Sequence, residues 1–288
     1  MGGGAYSHST RSARATSMGY DTKPIREIFT EKSLNVLMDP KNTELRESRD
    51  SVEHPISVAI LLGLDITGSM GHIPHQLVKE GLPNIMSRII QVGIADPQLL
   101  FLGIGDHECD RYPLQVGQFE SSDELLDKWL TSIYLEGGGG GNDGESYLLA
   151  WYLAGMKTSI DCFEKRGQKG LLFTIGDEKT LKNLPERSLL NIFGNGQYQD
   201  FTAVELLDKA RESYHVYHLH LKQGHNGTSE DVMGDWKQLL GDNLIIVADK
   251  DEIQKVIPEI VASNVSTLVS QVMPVGKPEV DGPEEMML

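Results

Sequence analysis

Residues 56–69 read ISVAILLGLDITGS, and the fold follows from how this stretch changes character. From 56 to 64 it is apolar at nearly every position, without alternation. A strand buried on both faces reads this way, and such strands lie inside parallel sheets covered by helices. The run stops at Asp65, after which Thr67 and Ser69 follow at every second position. Further apolar runs of strand length occupy 99–105, 171–175, 214–221 and 244–247. Helical spacing separates them: Leu148, Trp151, Tyr152 and Gly155 form one stripe, and Ile253, Val256, Ile257, Ile260 and Val261 another. Residues 77–90 are also periodic, although Pro83 predicts a kink or a split there. Residues 116–119 suggest a short antiparallel edge strand. The alternation predicts an α/β fold with a doubly wound, mostly parallel sheet flanked by helices. Sites in that architecture form at the carboxyl ends of the strands.

Composition narrows the function. Among 288 residues, 26 Lys+Arg against 42 Asp+Glu give a net charge of −16. Such a surface repels phosphate backbones and anionic lipid, which argues against nucleic-acid and membrane partners. A divalent cation or a basic protein surface suits it better. Cys109 and Cys162 are too few for a disulfide framework or a four-thiolate zinc site. No apolar run approaches the ~20 residues of a membrane span, and the start lacks an apolar leader. A soluble, cytoplasmic protein, monomeric on its own, is expected. Residues 1–50 form an N-terminal extension, partly disordered, whose first twenty residues read as a flexible arm. Residues 51–270 form the domain, and 271–288 a flexible acidic tail. Within the extension, the apolar positions of 23–41 suit a short helix docked on the core.

Three loops at predicted strand ends carry oxygen ligands. Asp65, Thr67 and Ser69 point a carboxylate and two hydroxyls the same way on a tight turn, a hard donor set suited to Mg²⁺ or Mn²⁺. A strand-end acid with Thr67 or Ser69 capping the next helix accounts for the same residues. The second loop, 137–146, reads GGGGGNDGES. Its five glycines permit close approach to a ligand. Asn142 and Glu145 also have the spacing of a helix capping box, so Asn142 or Asp143 stands as ligand or as cap. The third loop places Asp177 just past an apolar strand.

Together these motifs resemble the metal-ion-dependent adhesion site (MIDAS) of von Willebrand factor A (VWA) domains, of the cytosolic bacterial or phage type. That family's pattern is DxSxS or DxTxS, a Thr from a second loop and an Asp from a third. The resemblance covers roughly residues 55–265. It departs in the second loop, where the Thr is replaced. A branch with GGGDxPE in that loop is similar, and aligning its Glu with Glu145 puts Asn142 at the ligand position. The sequence GIGDH at 103–107 also resembles that branch. The resemblance implies Asp65, Thr67, Ser69, Asn142 and Asp177 as metal ligands, with an open coordination position filled by a carboxylate from a partner protein. Binding rather than catalysis is the expected function.

The alternative is a metal-dependent phosphoesterase using Asp106, His107 and Glu108, with His215, His218, His220 and His225 as further ligands. Against it, no DxH occurs near Asp65, and His218 and His220 alternate on a strand. A DxD nucleophile pair, a nucleophile elbow, a P-loop and a dinucleotide fingerprint are all absent. Cys109 lies between Glu108 and Asp110, which disfavours a thiolate.

Overall fold

Every residue of strand β1 (Ser57–Asp65) is buried, because successive side chains enter different cores on the two faces of one sheet. Ile60, Leu62 and Leu64 join the first core, and Ala59 and Leu61 the second. The computed structural model describes residues 6–68, 70, 72–136, 142 and 144–272. The remaining sheet strands are β2 (Asp96–Ile104), β3 (Leu114–Val116), β4 (Gly170–Gly176), β5 (Tyr214–Leu221) and β6 (Leu244–Val247). They are ordered β6-β5-β4-β1-β2-β3, parallel throughout except for β3 against β2. This is a doubly wound order whose direction reverses between β1 and β4. The carboxyl ends of those two strands therefore flank the crevice where such sheets bind ligands.

The edge strand sits two residues earlier than the sequence suggested. Just past its end, Gly117 donates its N–H to the Phe101 carbonyl at 2.9 Å, an approach that leaves no room for a Cβ, and pairing resumes as a bridge at Glu120.

Helices cover both faces. The longer ones are α1 (His8–Met18), α2 (Leu82–Gln91), α3 (Asp123–Thr131), α4 (Leu148–Met156), α5 (Glu186–Phe193), α6 (Ala203–Ser213), α7 (Glu230–Leu240) and α8 (Ile253–Val272). Helix α4 is buried all round its circumference rather than along one stripe, because α6 packs on it from outside. Gly155 permits that contact; a Cβ would sit 3.1 Å from the Ala210 nitrogen.

Residues 8–18 form a helix against the domain, where the sequence suggested a free arm. Helix α1 docks through Arg11, which is fully buried and paired with Asp127. The Tyr20 hydroxyl donates to the same carboxylate at 2.8 Å, and Arg14 reaches Asp123 at 2.8 Å. Arg11 also donates to the carbonyl of Val78. The reason lies in Pro83. The segment Leu77–Gly81 is a π-turn in which the Leu82 N–H reaches the Leu77 carbonyl, one residue further back than in an α-helix. In that register Pro83 should serve Val78, but it has no N–H, and Arg11 supplies the missing donor. The helical run therefore continues past Pro83 with a local widening instead of splitting. Replacing Arg11 by Met strips the buried Asp127 of its charge partner and should cost about 3 kcal/mol. Urea unfolding should show this as a lower midpoint with an unchanged slope.

Candidate metal centre

Asp65 ends β1 fully buried. Its Oδ1 accepts both the backbone N–H and the hydroxyl of Thr67, at 2.9 and 2.6 Å, and its Oδ2 accepts the Tyr147 hydroxyl at 2.8 Å. Thr67 thus spends its hydroxyl hydrogen on Asp65 and keeps oxygen lone pairs for another partner. Across the switch point, Asp177 follows β4 directly and is also fully buried. Its Oδ2 accepts the Asn226 N–H at 3.0 Å, whereas its Oδ1 has no hydrogen-bond partner. Burial, reinforced by the charge of Asp177, pushes the Asp65 carboxyl up to about 6. Two glycines keep this space open. A side chain at Gly176 would overlap the Tyr147 hydroxyl, and one at Gly224 would overlap the Asp177 carboxylate.

Three successive residues stitch the second loop to its neighbours. Glu145 bridges to Thr180, donating its N–H to the Lys179 carbonyl and accepting that of Leu181. Ser146 donates its N–H to the Gly105 carbonyl, and its hydroxyl meets His107. Tyr147 reaches Asp65. The expected capping box does not form: α4 starts at Leu148 with no side-chain cap. The Glu145 backbone pairs with residues 179–181 while its Oε2 has no hydrogen-bond partner, and the Asn142 amide donates to Glu108 Oε2 at 2.9 Å. That bond uses the amide N–H and not the carbonyl oxygen that a metal reading requires. Ser69, Asp143 and the glycines 137–141 lie outside the described residues.

The donors that are described fit a hard divalent cation: two buried carboxylates without ion pairs to described residues, one orphaned carboxylate oxygen and one hydroxyl oxygen. Nitrogen and sulfur ligands take no part. No group of three or more His, Cys, Asp or Glu side chains among the described residues is placed to hold a metal ion. The histidine-rich site of the phosphoesterase alternative is therefore not assembled among them. His218 is buried and stacks at 3.6 Å on Trp236, and His220 lies 3.0 Å from the Gly227 carbonyl. Asp106 turns its own loop, accepting the Glu108 N–H at 2.8 Å. A hydrogen bond to Asp106 and neighbouring acids push the Cys109 thiol up to about 11, in line with the expectation that it is no thiolate.

Sequence reasoning missed Tyr147, Asn226 and the structural work of Glu145. Only the position of Tyr147, just after the glycine-rich loop, signalled a role. Asn226 reaches Asp177 across the neighbouring strand's loop, a contact with no local signature.

Fold and site together define a doubly wound α/β domain carrying an oxygen-rich acidic centre at its switch point. No protein-family model matches the chain, and no curated protein matches it either. Among solved structures, the chain is similar to the pilus adhesin SpaC of Lactobacillus rhamnosus GG in its open conformation, at 11% identity and TM-score 0.48, over 76% of this chain and 31% of that one. Also similar are proximal thread matrix protein 1 of the mussel byssus (11% identity, TM-score 0.44, 72% and 47% covered) and a von Willebrand factor type A structure from Catenulispora acidiphila (11%, 0.39, 72% and 42%). The chain spans about a third of the adhesin's length. Likenesses this distant say nothing about the chemistry of the site.

Glu145 supplies a test of the electrostatics. Burial, then the charges of Asp65, Asp110 and Asp106, push its carboxyl up to about 10. The folded chain holds this proton over a range where the unfolded chain has released it, so the group lowers stability as pH rises from the ordinary carboxylate value towards 10. Glu145→Gln removes that dependence. Thermal melts in EDTA from about pH 5 to about pH 9 should show the variant gaining steadily on the parent.

Proposed function

We propose that this chain is a metal-dependent protein-binding module of the VWA kind, with Mg²⁺ or Mn²⁺ held at the β1–β4 switch point. The observation that carries the reading is the pair of fully buried carboxylates, Asp65 and Asp177, with one oxygen of Asp177 unpartnered. Two such groups repel each other unless a cation lies between them. Asp65 anchors the ion and Thr67 adds its hydroxyl oxygen. Asp177 closes the opposite side, directly or through water, and Ser69 and Asn142 complete the set. For Asn142 this requires the amide to turn its oxygen from the Glu108 side to the metal. The bound ion supplies a positive centre with one open position, filled by a carboxylate from a partner protein, which compensates the charge.

Catalysis is not part of this reading. Water on Mg²⁺ stays far from a neutral pKa, unlike water on Zn²⁺ at ≈ 7, and the side chains hydrogen-bonded to Asp65 are a hydroxyl and a phenol rather than a base. Calorimetry should find about one Mg²⁺ or Mn²⁺ per chain, lost in Asp65→Ala and weakened in Thr67→Ala. Saturation at ~100 times Kd should add roughly 2.7 kcal/mol of stability. An unchanged isotherm in Asp65→Ala removes the proposal. The purified protein should show no metal-dependent turnover of phosphomonoesters, phosphodiesters or peptides. Turnover abolished by both Asp106→Ala and His107→Ala, yet surviving Thr67→Ala, would promote the phosphoesterase.

A further inference from the structure

A carboxylate has about four acceptor positions, two on each oxygen, and those of Asp65 are nearly spent. Both positions on Oδ1 are taken by Thr67, one by its N–H at 2.9 Å and one by its hydroxyl at 2.6 Å. On Oδ2 the Tyr147 hydroxyl takes one at 2.8 Å. A single position is left, and it lies on the oxygen that Tyr147 holds. Chelation of an ion through both oxygens needs a free position on each, so this network excludes it. Asp177 is restricted in a similar way. The loop at 224–226 closes on its Oδ2, through the Asn226 N–H at 3.0 Å and through Gly224, where a Cβ would lie 2.2 Å from that oxygen. Oδ1 is left without a partner.

Tyr147 is itself held fast. It is fully buried, and its ring meets those of His218 and Trp236 edge-on, with centroids 5.1 and 5.5 Å away. Its hydroxyl occupies the space that Gly176 leaves open, since a Cβ there would come within 1.8 Å of the phenol oxygen. Phenylalanine would pack the same aromatic floor without burying a polar atom. The hydroxyl bonds to Asp65 alone among the described residues. Packing therefore accounts for the ring and not for the oxygen. A packed phenol with one hydrogen to give fixes the direction in which Asp65 can still accept. Mg²⁺ demands near-ideal octahedral directions at ~2.0–2.1 Å and keeps waters, which suits fixed donors offering one oxygen each. Ca²⁺ takes more oxygens, at ~2.3–2.6 Å and in variable directions, often both from one carboxylate.

We propose that Tyr147 is a positioning residue that sets the choice of ion: by confining Asp65 to one bond in one direction, it makes the centre discriminate against Ca²⁺ in favour of Mg²⁺. This rests on the metal-binding reading above. Calorimetry on the full chain, titrated with MgCl₂ and separately with CaCl₂, gives the ratio of the two affinities. The parent should prefer Mg²⁺, and Tyr147→Phe should lower the ratio about tenfold, the scale of one hydrogen bond to a charged group. Phenylalanine keeps the ring on His218 and Trp236, so a purely structural role would weaken both ions alike and leave the ratio unmoved. Gly176→Ala drives the same hydroxyl away without altering the tyrosine and should lower the ratio too, which keeps the test decisive if Tyr147→Phe folds poorly. A ratio unchanged in the folded variants, or a parent that takes Ca²⁺ as tightly as Mg²⁺, overturns this proposal and leaves the metal centre standing. A parent that binds neither ion removes the metal centre itself, and this proposal with it.

Discussion

The structure depends on the burial of a carboxylate at the end of its most buried strand. β1 is enclosed on both faces, so its last residue, Asp65, enters the site already stripped of water. Charge in that position is unfavourable unless neighbours stabilise it, and much of the surrounding architecture supplies those neighbours. Thr67 and Tyr147 donate to it. Gly176 leaves room for the tyrosine hydroxyl. Asp177 adds a second buried acid rather than a compensating base, so the hydrogen bonds leave the centre short of positive charge. That shortage is the chemical character of the site.

The loops around it are held by backbone as much as by side chains. Glu145, Ser146 and Tyr147 are consecutive, yet they reach the strand-end loops of β4, β2 and β1 in turn. The residues leading into α4, which is buried on all sides, are therefore bonded to all three loops. Beneath, Tyr147 meets His218 and Trp236 edge-on, and Trp236 donates to the Glu178 carbonyl beside Asp177. The aromatic floor therefore ties both acidic strand ends to α7.

On the opposite face, helix α1 docks through a polar cluster centred on Arg11. Arg11 answers a donor deficit that Pro83 creates within a π-turn, and it balances the buried Asp127. The continuation of the helix beyond Pro83 and the docking of α1 are two sides of the same contact.

The sequence by itself determined the α/β class, the strands at 214–221 and 244–247 to the residue, and the acids placed at strand ends, because a strand buried on both faces leaves an unbroken apolar run and its end an abrupt polar one. Helical and strand periods are local properties, legible within ten residues. It did not reveal that α4 is buried all round, that Glu145 pairs with Thr180 instead of capping a helix, or that Asn142 turns its amide to Glu108. Nor did it reveal that an arginine in a Gly/Ser-rich stretch becomes fully buried. Each of these joins residues tens of positions apart, and no spacing rule encodes them. Tertiary structure decided them because a buried donor or acceptor must find a partner wherever the folded chain brings one within reach.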